Sequence, residues 1–132
     1  MTARTATCRC GQLSATCTGE PVRISVCHCL DCKRRSGSAF AAQARWPAEQ
    51  VTFAGDAREW TVTGDSGQPA TFHFCPVCGG TVWYVASGLP DLVAVPIGGF
   101  ADPAFSPPEY SVYEERKHGW VEIVGDGIDR YA

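Results

Sequence analysis

The chain has 132 residues, charged side chains at 19% of positions and a formal net charge of −3. This length fits a single domain over residues 1–132, and a hydrophobic content of 45% can build a core, which excludes a disordered chain. The acidic balance and the lack of a broad basic face in the sequence argue against nucleic acid as a partner.

The predicted secondary structure is mainly β, with short strands separated by glycine and proline. Alternating or β-branched runs predict strands, in chain order, at Arg4–Cys10, Gln12–Cys17, Val22–Val26, Ala39–Trp46, Val51–Phe53, Arg58–Thr63, Ala70–Phe74, Thr81–Ala86, Asp91–Ile97 and Tyr110–Tyr113. Pro47–Gln50 predicts one helical turn, and no segment keeps a helical period over three turns. Gly64–Pro69 predicts a hairpin loop, and Pro96 indicates either an edge strand or the end of its strand.

The sequence predicts neither a secretory signal nor a membrane span. Residues Met1–Thr7 lead into Cys8 without an apolar run. The longest uncharged apolar stretch, Leu92–Ala101, is about half the roughly 20 residues of a membrane helix, so no membrane partner is expected. These features predict a soluble, cytoplasmic protein, and in that compartment eight cysteines indicate metal or redox chemistry rather than disulfides.

Seven of the eight cysteines fall into three clusters, and Cys17 stands alone in a predicted strand, where we expect a small buried residue. The clusters are Cys8-Arg9-Cys10-Gly11, Cys27-His28-Cys29-Leu30-Asp31-Cys32 and Cys75-Pro76-Val77-Cys78-Gly79-Gly80. A disulfide across a single intervening residue is strained, and seven cysteines cannot pair evenly. Cysteines one or two residues apart can instead direct both sulfurs at one metal ion about 2.3 Å away, as in zinc sites.

The sizes of the clusters predict two zinc ions per chain. A structural zinc takes four protein ligands, whereas a catalytic zinc takes three and leaves the fourth position to water or substrate. The expected closed site is Cys8, Cys10, Cys75 and Cys78, and the expected open site is Cys27, Cys29 and Cys32. A fourth ligand from Cys17 or His28 would make both zincs structural. The side chain of His28, which lies between two ligands, is expected to point away from the metal.

Together the three clusters resemble the glutathione-dependent formaldehyde-activating enzymes and their relatives, which include the domain of centromere protein V. The similarity lies in CRCG near the start, in CHCLDC followed by KRRSGSAF, in FCPVCGG and in the late segment Tyr113–Arg116, and it extends from about Arg4 to Arg130. It implies an all-β fold of several small coiled antiparallel sheets around zinc, of the β-tent type, with a structural closed zinc and a labile open one. It also implies the activity of an S-(hydroxymethyl)glutathione synthase, a carbon–sulfur lyase-type enzyme that joins glutathione and formaldehyde.

The resemblance places catalysis at the open zinc held by Cys27, Cys29 and Cys32. A metal there would lower the pKa of an incoming thiol, and the resulting thiolate would attack the carbonyl carbon of formaldehyde. The candidate substrate-binding residues follow directly in the sequence and are Lys33, Arg34, Arg35, Ser36 and Gly37. Their cations suit the carboxylates of a small thiol such as glutathione. A solvated basic turn is the alternative, since three consecutive charges cannot all face one pocket.

Two other functions remain open at this point. A non-catalytic binding module, stabilised by two structural zincs, would have no exchangeable ligand position. Thiol redox chemistry through the cysteine pairs would be inhibited by metal rather than dependent on it. The sequence predicts no oligomeric state.

Overall fold

The protein is described by a computed structural model that covers residues 2–64 and 67–132. In this part of the chain the strands are β1 (Ala3–Thr7), β2 (Ser14–Thr18), β3 (Arg23–Cys27), β4 (Ala41–Pro47), β5 (Val51–Ala54), β6 (Arg58–Thr63), β7 (Pro69–Phe74), β8 (Thr81–Ala86), β9 (Leu92–Pro96), β10 (Tyr110–Val112) and β11 (Asp129–Arg130). One α-helix, α1 (Leu30–Ser36), connects β3 to β4. Single 3-10 turns occur at Ala48–Gln50, Ile97–Phe100 and Glu114–Arg116.

The described strands form two sheets. The smaller sheet has the order β1-β2-β5, and the larger one has the order β11-β10-β3-β4-β9-β8-β7-β6. Neighbouring strands are antiparallel except for β10, which runs parallel to β3 and to β11. The prediction of a mainly β fold built from antiparallel sheets is therefore confirmed.

The hydrophobic core lies between the smaller sheet and one face of the larger sheet. Trp46 of β4 is fully buried at its centre, packs on the ring of Phe100 at 5.6 Å and donates from Nε1 to the Gly19 carbonyl at 3.0 Å. Cys17 is fully buried in the same core, as the sequence predicted. Because side chains alternate along a strand, the opposite face of β3 and β4 is left to the polar residues and cysteine described below.

Most element positions follow the sequence patterns. The bounds of β6 and β8 match the predicted ones, and the predicted turn before β5 is present. Pro96 ends β9, but the edge alternative is wrong, since β9 lies between β4 and β8. The middle of the predicted Gly64–Pro69 loop, Asp65 and Ser66, lies outside the described residues. Across the residues that are described, no helix is long and apolar enough to span a membrane.

The sequence patterns did not predict α1. It has seven residues, which is too short for a repeated apolar stripe to show. Its ends are nevertheless well defined. The thiol of Cys29 caps the start by accepting a hydrogen bond from the Cys32 amide, and Gly37 ends the helix with a φ of 69°. Cys29 therefore contributes both to the start of α1 and to the cysteine cluster between Cys27 and Cys32.

Candidate metal centres and cavity

The first cysteine cluster joins two turns that are distant in the sequence. Cys8 and Cys10 lie in the turn between β1 and β2, and Cys75 and Cys78 lie in the turn between β7 and β8. Their four sulfurs all lie within 4.8 Å of one another. The Sγ atoms of Cys8 and Cys10 are 3.6 Å apart, and those of Cys10 and Cys75 are 3.7 Å apart. Tetrahedral zinc with bonds of about 2.3 Å separates its sulfur ligands by about 3.8 Å, so these residues fit that metal.

Hydrogen-bond donors surround the sulfur of Cys75. Gln12 donates from Nε2 at 3.0 Å, and the backbone amides of Val77 and Cys78 donate at 3.3 and 3.4 Å. Burial raises the pKa of the Cys75 thiol, but these hydrogen bonds outweigh it and lower the pKa to about 6. The thiolate is the form that binds metal, so the hydrogen bonds to Cys75 favour metal binding at this turn.

The second cluster lies where β3 passes into α1. Cys27 ends β3, Cys29 is the residue before α1, and Cys32 lies in the first turn of the helix. The three sulfurs lie within 4.8 Å of one another, close enough to share one metal ion. Cys27 and Cys29 are buried, and Cys32 is partly exposed. Within the described residues, the group that could share this ion contains no fourth cysteine, histidine or carboxylate.

The two residues that could have completed this cluster lie elsewhere. His28 is fully buried, and its Nε2 is 3.0 Å from the Ser111 hydroxyl, so this nitrogen is engaged on β10. Cys17 is in β2, within the core. The second cluster therefore offers three sulfur ligands, which is the arrangement that leaves one metal position to an exogenous ligand.

The three-cysteine cluster borders a cavity of about 490 Å³. β3 and β4 form its floor, α1 forms one wall, and the β6–β7 hairpin contributes Trp60, Val62 and Phe72. Among the described residues, four arginines and a single acidic residue line it: Arg23, Arg34, Arg35, Arg45 and Asp31. In an acidic protein, this concentration of positive charge favours an anionic ligand. The four-cysteine cluster does not contribute to the lining.

Tyr84 of β8 lies in the wall of the cavity close to two arginines. The guanidinium carbon of Arg35 is 5.2 Å from its ring centre, and that of Arg45 is 5.9 Å away. Burial raises the pKa of the Tyr84 phenol to about 12, although the two arginines act in the opposite sense. At neutral pH the hydroxyl is therefore protonated and can donate a hydrogen bond.

The five predicted substrate-binding residues do not all face the cavity. Arg34 and Arg35 line the cavity, whereas Lys33 donates from Nζ to the Arg116 carbonyl. Ser36 donates from Oγ to the Cys32 carbonyl at 2.8 Å, and Gly37 ends the helix; neither lines the cavity. The structure thus places Arg34 and Arg35, two of the five predicted substrate-binding residues, in the same cavity as the three cysteines.

Sequence reasoning missed the cavity residues of the sheet. Arg23 and Ser25 precede Cys27 at alternate positions on β3, so all three lie on one strand face. The same spacing in Gln43 and Arg45 marks the cavity face of β4. The signal in the sequence is the alternation along Val22–Val26, in which the polar residues Arg23 and Ser25 face the cavity and Ile24 and Val26 are buried on the other face.

These features define a class: a mainly β protein that assembles one four-cysteine and one three-cysteine cluster at metal-binding spacing, the latter beside a cationic cavity. A family model described as glutathione-dependent formaldehyde-activating enzyme matches residues 3–116. The chain belongs to that family.

A solved structure of a Rhodobacter sphaeroides protein shares this fold, with a TM-score of 0.57 and 19% sequence identity. The similarity covers 78% of this chain and 91% of that one. A comparison with curated proteins gives no match.

Proposed function

We propose that this protein is a zinc-dependent enzyme that forms or cleaves the carbon–sulfur bond of a small anionic thiol adduct, such as that of glutathione with formaldehyde. The observation that carries the proposal is the position of the three-cysteine cluster at an arginine-lined cavity. Family membership supports the reaction class, that of S-(hydroxymethyl)glutathione synthases among the carbon–sulfur lyases.

In this proposal the two clusters have different roles. Cys8, Cys10, Cys75 and Cys78 hold a structural zinc, and Cys27, Cys29 and Cys32 hold a labile one. When bound by three cysteines, zinc supplies a cation that lowers the pKa of a further, exogenous thiol. Three thiolates leave that site with one net negative charge, which disfavours an anionic thiol. Arg34 and Arg35 offset this charge from the cavity wall.

The reaction moves one proton. Addition of the thiol sulfur to formaldehyde forms the carbon–sulfur bond, and the proton lost by the thiol ends on the former carbonyl oxygen. Tyr84 can donate a hydrogen bond to that oxygen as negative charge develops on it, because its phenol stays protonated at neutral pH. The reverse reaction breaks the same bond and returns the proton to sulfur.

The remaining predicted residues take supporting roles in this proposal. Lys33 ties α1 to the segment around Arg116, and Ser36 and Gly37 complete the end of the helix. Residues 1–132 act as one domain, since the four-cysteine cluster joins the start of the chain to its middle. A reducing compartment such as the cytoplasm suits seven cysteines that act as metal ligands.

Zinc content and its response to thiol test the proposal. Protein purified without chelator should contain two zincs per chain. Mild chelators should release one of them, or, after cobalt substitution, glutathione should change the spectrum of that site. The same protein should speed the exchange of isotopically labelled formaldehyde into its glutathione adduct, as followed by NMR. Two zincs that are indifferent to thiols would favour the non-catalytic binding module, and activity lost on metal loading would favour redox chemistry.

A further inference from the structure

Two arginines face each other across the floor of the cavity. Arg23 of β3 and Arg45 of β4 are direct cross-strand partners, and both line the cavity. Like charges at directly opposed positions destabilise a sheet. Neither strand carries an acidic residue. Aromatic rings support both cations without neutralising them, since the Arg23 guanidinium lies 4.6 Å from the Tyr110 ring centre and that of Arg45 lies 5.9 Å from the Tyr84 ring centre. The arrangement therefore leaves two positive charges that suit an anion bound between the guanidinium groups.

The polar atoms beside this pair are incompletely satisfied. Arg23 Nε and Gln43 Oε1 are buried without a hydrogen-bond partner. Gln43 is 3% exposed and donates from Nε2 to the Ser25 hydroxyl at 2.7 Å, and Arg45 donates to the same hydroxyl at 3.3 Å. Because the Ser25 oxygen accepts both hydrogen bonds, its own proton is available to a ligand. Buried polar groups are rarely left unpaired, so these atoms indicate a ligand with matching groups.

We infer that Arg23, Ser25, Gln43 and Arg45, here called the strand subsite, bind the amino-acid-like end of the thiol substrate, where a carboxylate lies beside an N–H donor. The guanidinium groups and the Ser25 hydroxyl take the carboxylate. The free oxygen of Gln43 accepts from the ammonium or amide nitrogen. This inference rests on the proposed function for the identity of the ligand, but not for the presence of the subsite.

The position of the strand subsite sets the size of the substrate. Cys27 and Arg23 lie four residues apart on the same face of β3, which separates their Cα atoms by about 13 Å. An extended tripeptide spans about 10–11 Å. Because the side chains of Cys27 and Arg23 both line the cavity, they shorten the gap that a ligand must span, and a cysteine-containing thiol of about tripeptide size can reach both the three-cysteine cluster and the strand subsite. A small thiol without a terminal carboxylate cannot engage both.

Calorimetric binding to the zinc-loaded full chain tests the inference with two probes of blocked sulfur. The probes are S-methylglutathione and its diester, which differ in the charge of their carboxylates. Wild type should bind the acid more tightly than the diester, and Arg23→Gln should reduce this preference about tenfold or more, since hydrogen bonds to charged groups are strong. Arg58→Gln is the matched control. It removes an arginine from exposed β6, outside the cavity lining, and should leave the preference unchanged.

Folding of the variant is checked separately. In ligand-free Arg23→Gln, relief of the repulsion between opposed like charges offsets loss of the Arg23–Tyr110 contact, so the melting temperature should stay close to that of wild type. A sharp fall in melting temperature with an unchanged preference for the acid would overturn the inference and make the arginine pair structural. An equal loss of preference in Arg58→Gln would overturn it too, as a general charge effect.

Turnover of glutathione and formaldehyde separates this inference from the proposed function. If turnover is absent but the preference for the acid depends on Arg23, the strand subsite stands and the proposed enzyme activity falls. If turnover is present and Arg23→Gln keeps the preference, the activity stands and the strand subsite falls.

Discussion

The Ser111 hydroxyl lies 3.0 Å from His28 Nε2 and, at 2.6 Å, donates its proton to the carboxylate of Glu114. Since that proton is committed to Glu114, the hydrogen bond to His28 requires the imidazole to donate from Nε2. Arg130 of β11 in turn donates to the same Glu114 carboxylate at 3.0 Å. The residue between Cys27 and Cys29 is therefore anchored to β10 and to the C-terminal strand, which fixes the backbone that carries both sulfurs.

The first prediction concerns this anchor. Ser111→Ala leaves the buried His28 Nε2–H without its partner, which should cost about 1–3 kcal/mol in the free energy of unfolding. It should also speed zinc loss from the three-cysteine cluster, measured by competition with a chromophoric chelator, while the four-cysteine cluster keeps its zinc. The control is Thr61→Ala, which removes an exposed hydroxyl pair with Thr71 and should affect neither quantity. Equal zinc loss from both clusters would contradict a local role of the anchor.

The second prediction concerns the pH dependence of stability. The hydrogen bond from Ser111 lowers the pKa of Glu114 below its ordinary value of 4.5, against the effect of burial and with help from Arg130. A carboxyl group with a lowered pKa in the folded state stabilises the protein fully above its unfolded pKa, and this contribution is lost as the pH falls through the folded value.

Denaturant unfolding of wild type and Glu114→Gln at several pH values measures this contribution. The difference in free energy of unfolding should be constant above about pH 5 and should shrink below pH 4.5. Zinc loss at low pH affects both proteins and is removed by comparing their difference. A difference that stays constant down to pH 3 would show that the charge of Glu114 does not stabilise the fold.

Much of this architecture could be predicted from local sequence signals. The spacing of the cysteines, together with the four protein ligands that a structural zinc takes, was sufficient to group seven cysteines into the two clusters that the structure assembles. Alternation and turn residues were sufficient for strands such as β6 and β8. These features depend on residues within a few positions of one another, or on a metal with fixed geometry.

The cavity could not be predicted in the same way. Arg23 and Arg45 meet only because β3 and β4 pair in one particular register, and Tyr84 joins them from a strand much later in the chain. The sequence offered Lys33, Arg34 and Arg35 as the basic group instead, but the turn of α1 directs only the two arginines to the cavity. Side-chain direction within a one- or two-turn helix depends on where that helix begins, which a spacing argument does not supply.

The third prediction separates the two clusters. Cys75→Ser should unfold the chain or release its zinc, because a structural zinc site of this kind contributes on the order of 10 kcal/mol to folding. Cys29→Ser should keep a folded chain with one zinc and no response to glutathione. Cys17→Ala is the control, since Cys17 lies outside both clusters and should leave two zincs per chain by elemental analysis. Global unfolding of Cys29→Ser would make both sites structural.

The fourth prediction concerns Tyr84, whose ring lies close to Arg35 and Arg45 in the cavity wall. Tyr84→Phe keeps the ring and its contacts with the arginines but removes the phenolic hydroxyl. If the hydroxyl stabilises the oxygen of formaldehyde as the carbon–sulfur bond forms, kcat should fall roughly 10²-fold, in the range found for the loss of one such donor. The affinity for S-methylglutathione and the zinc content should stay unchanged, because neither depends on the hydroxyl. A variant with unchanged kcat and weaker binding would instead assign Tyr84 to substrate recognition and would show that its hydroxyl does not stabilise the developing charge on the oxygen.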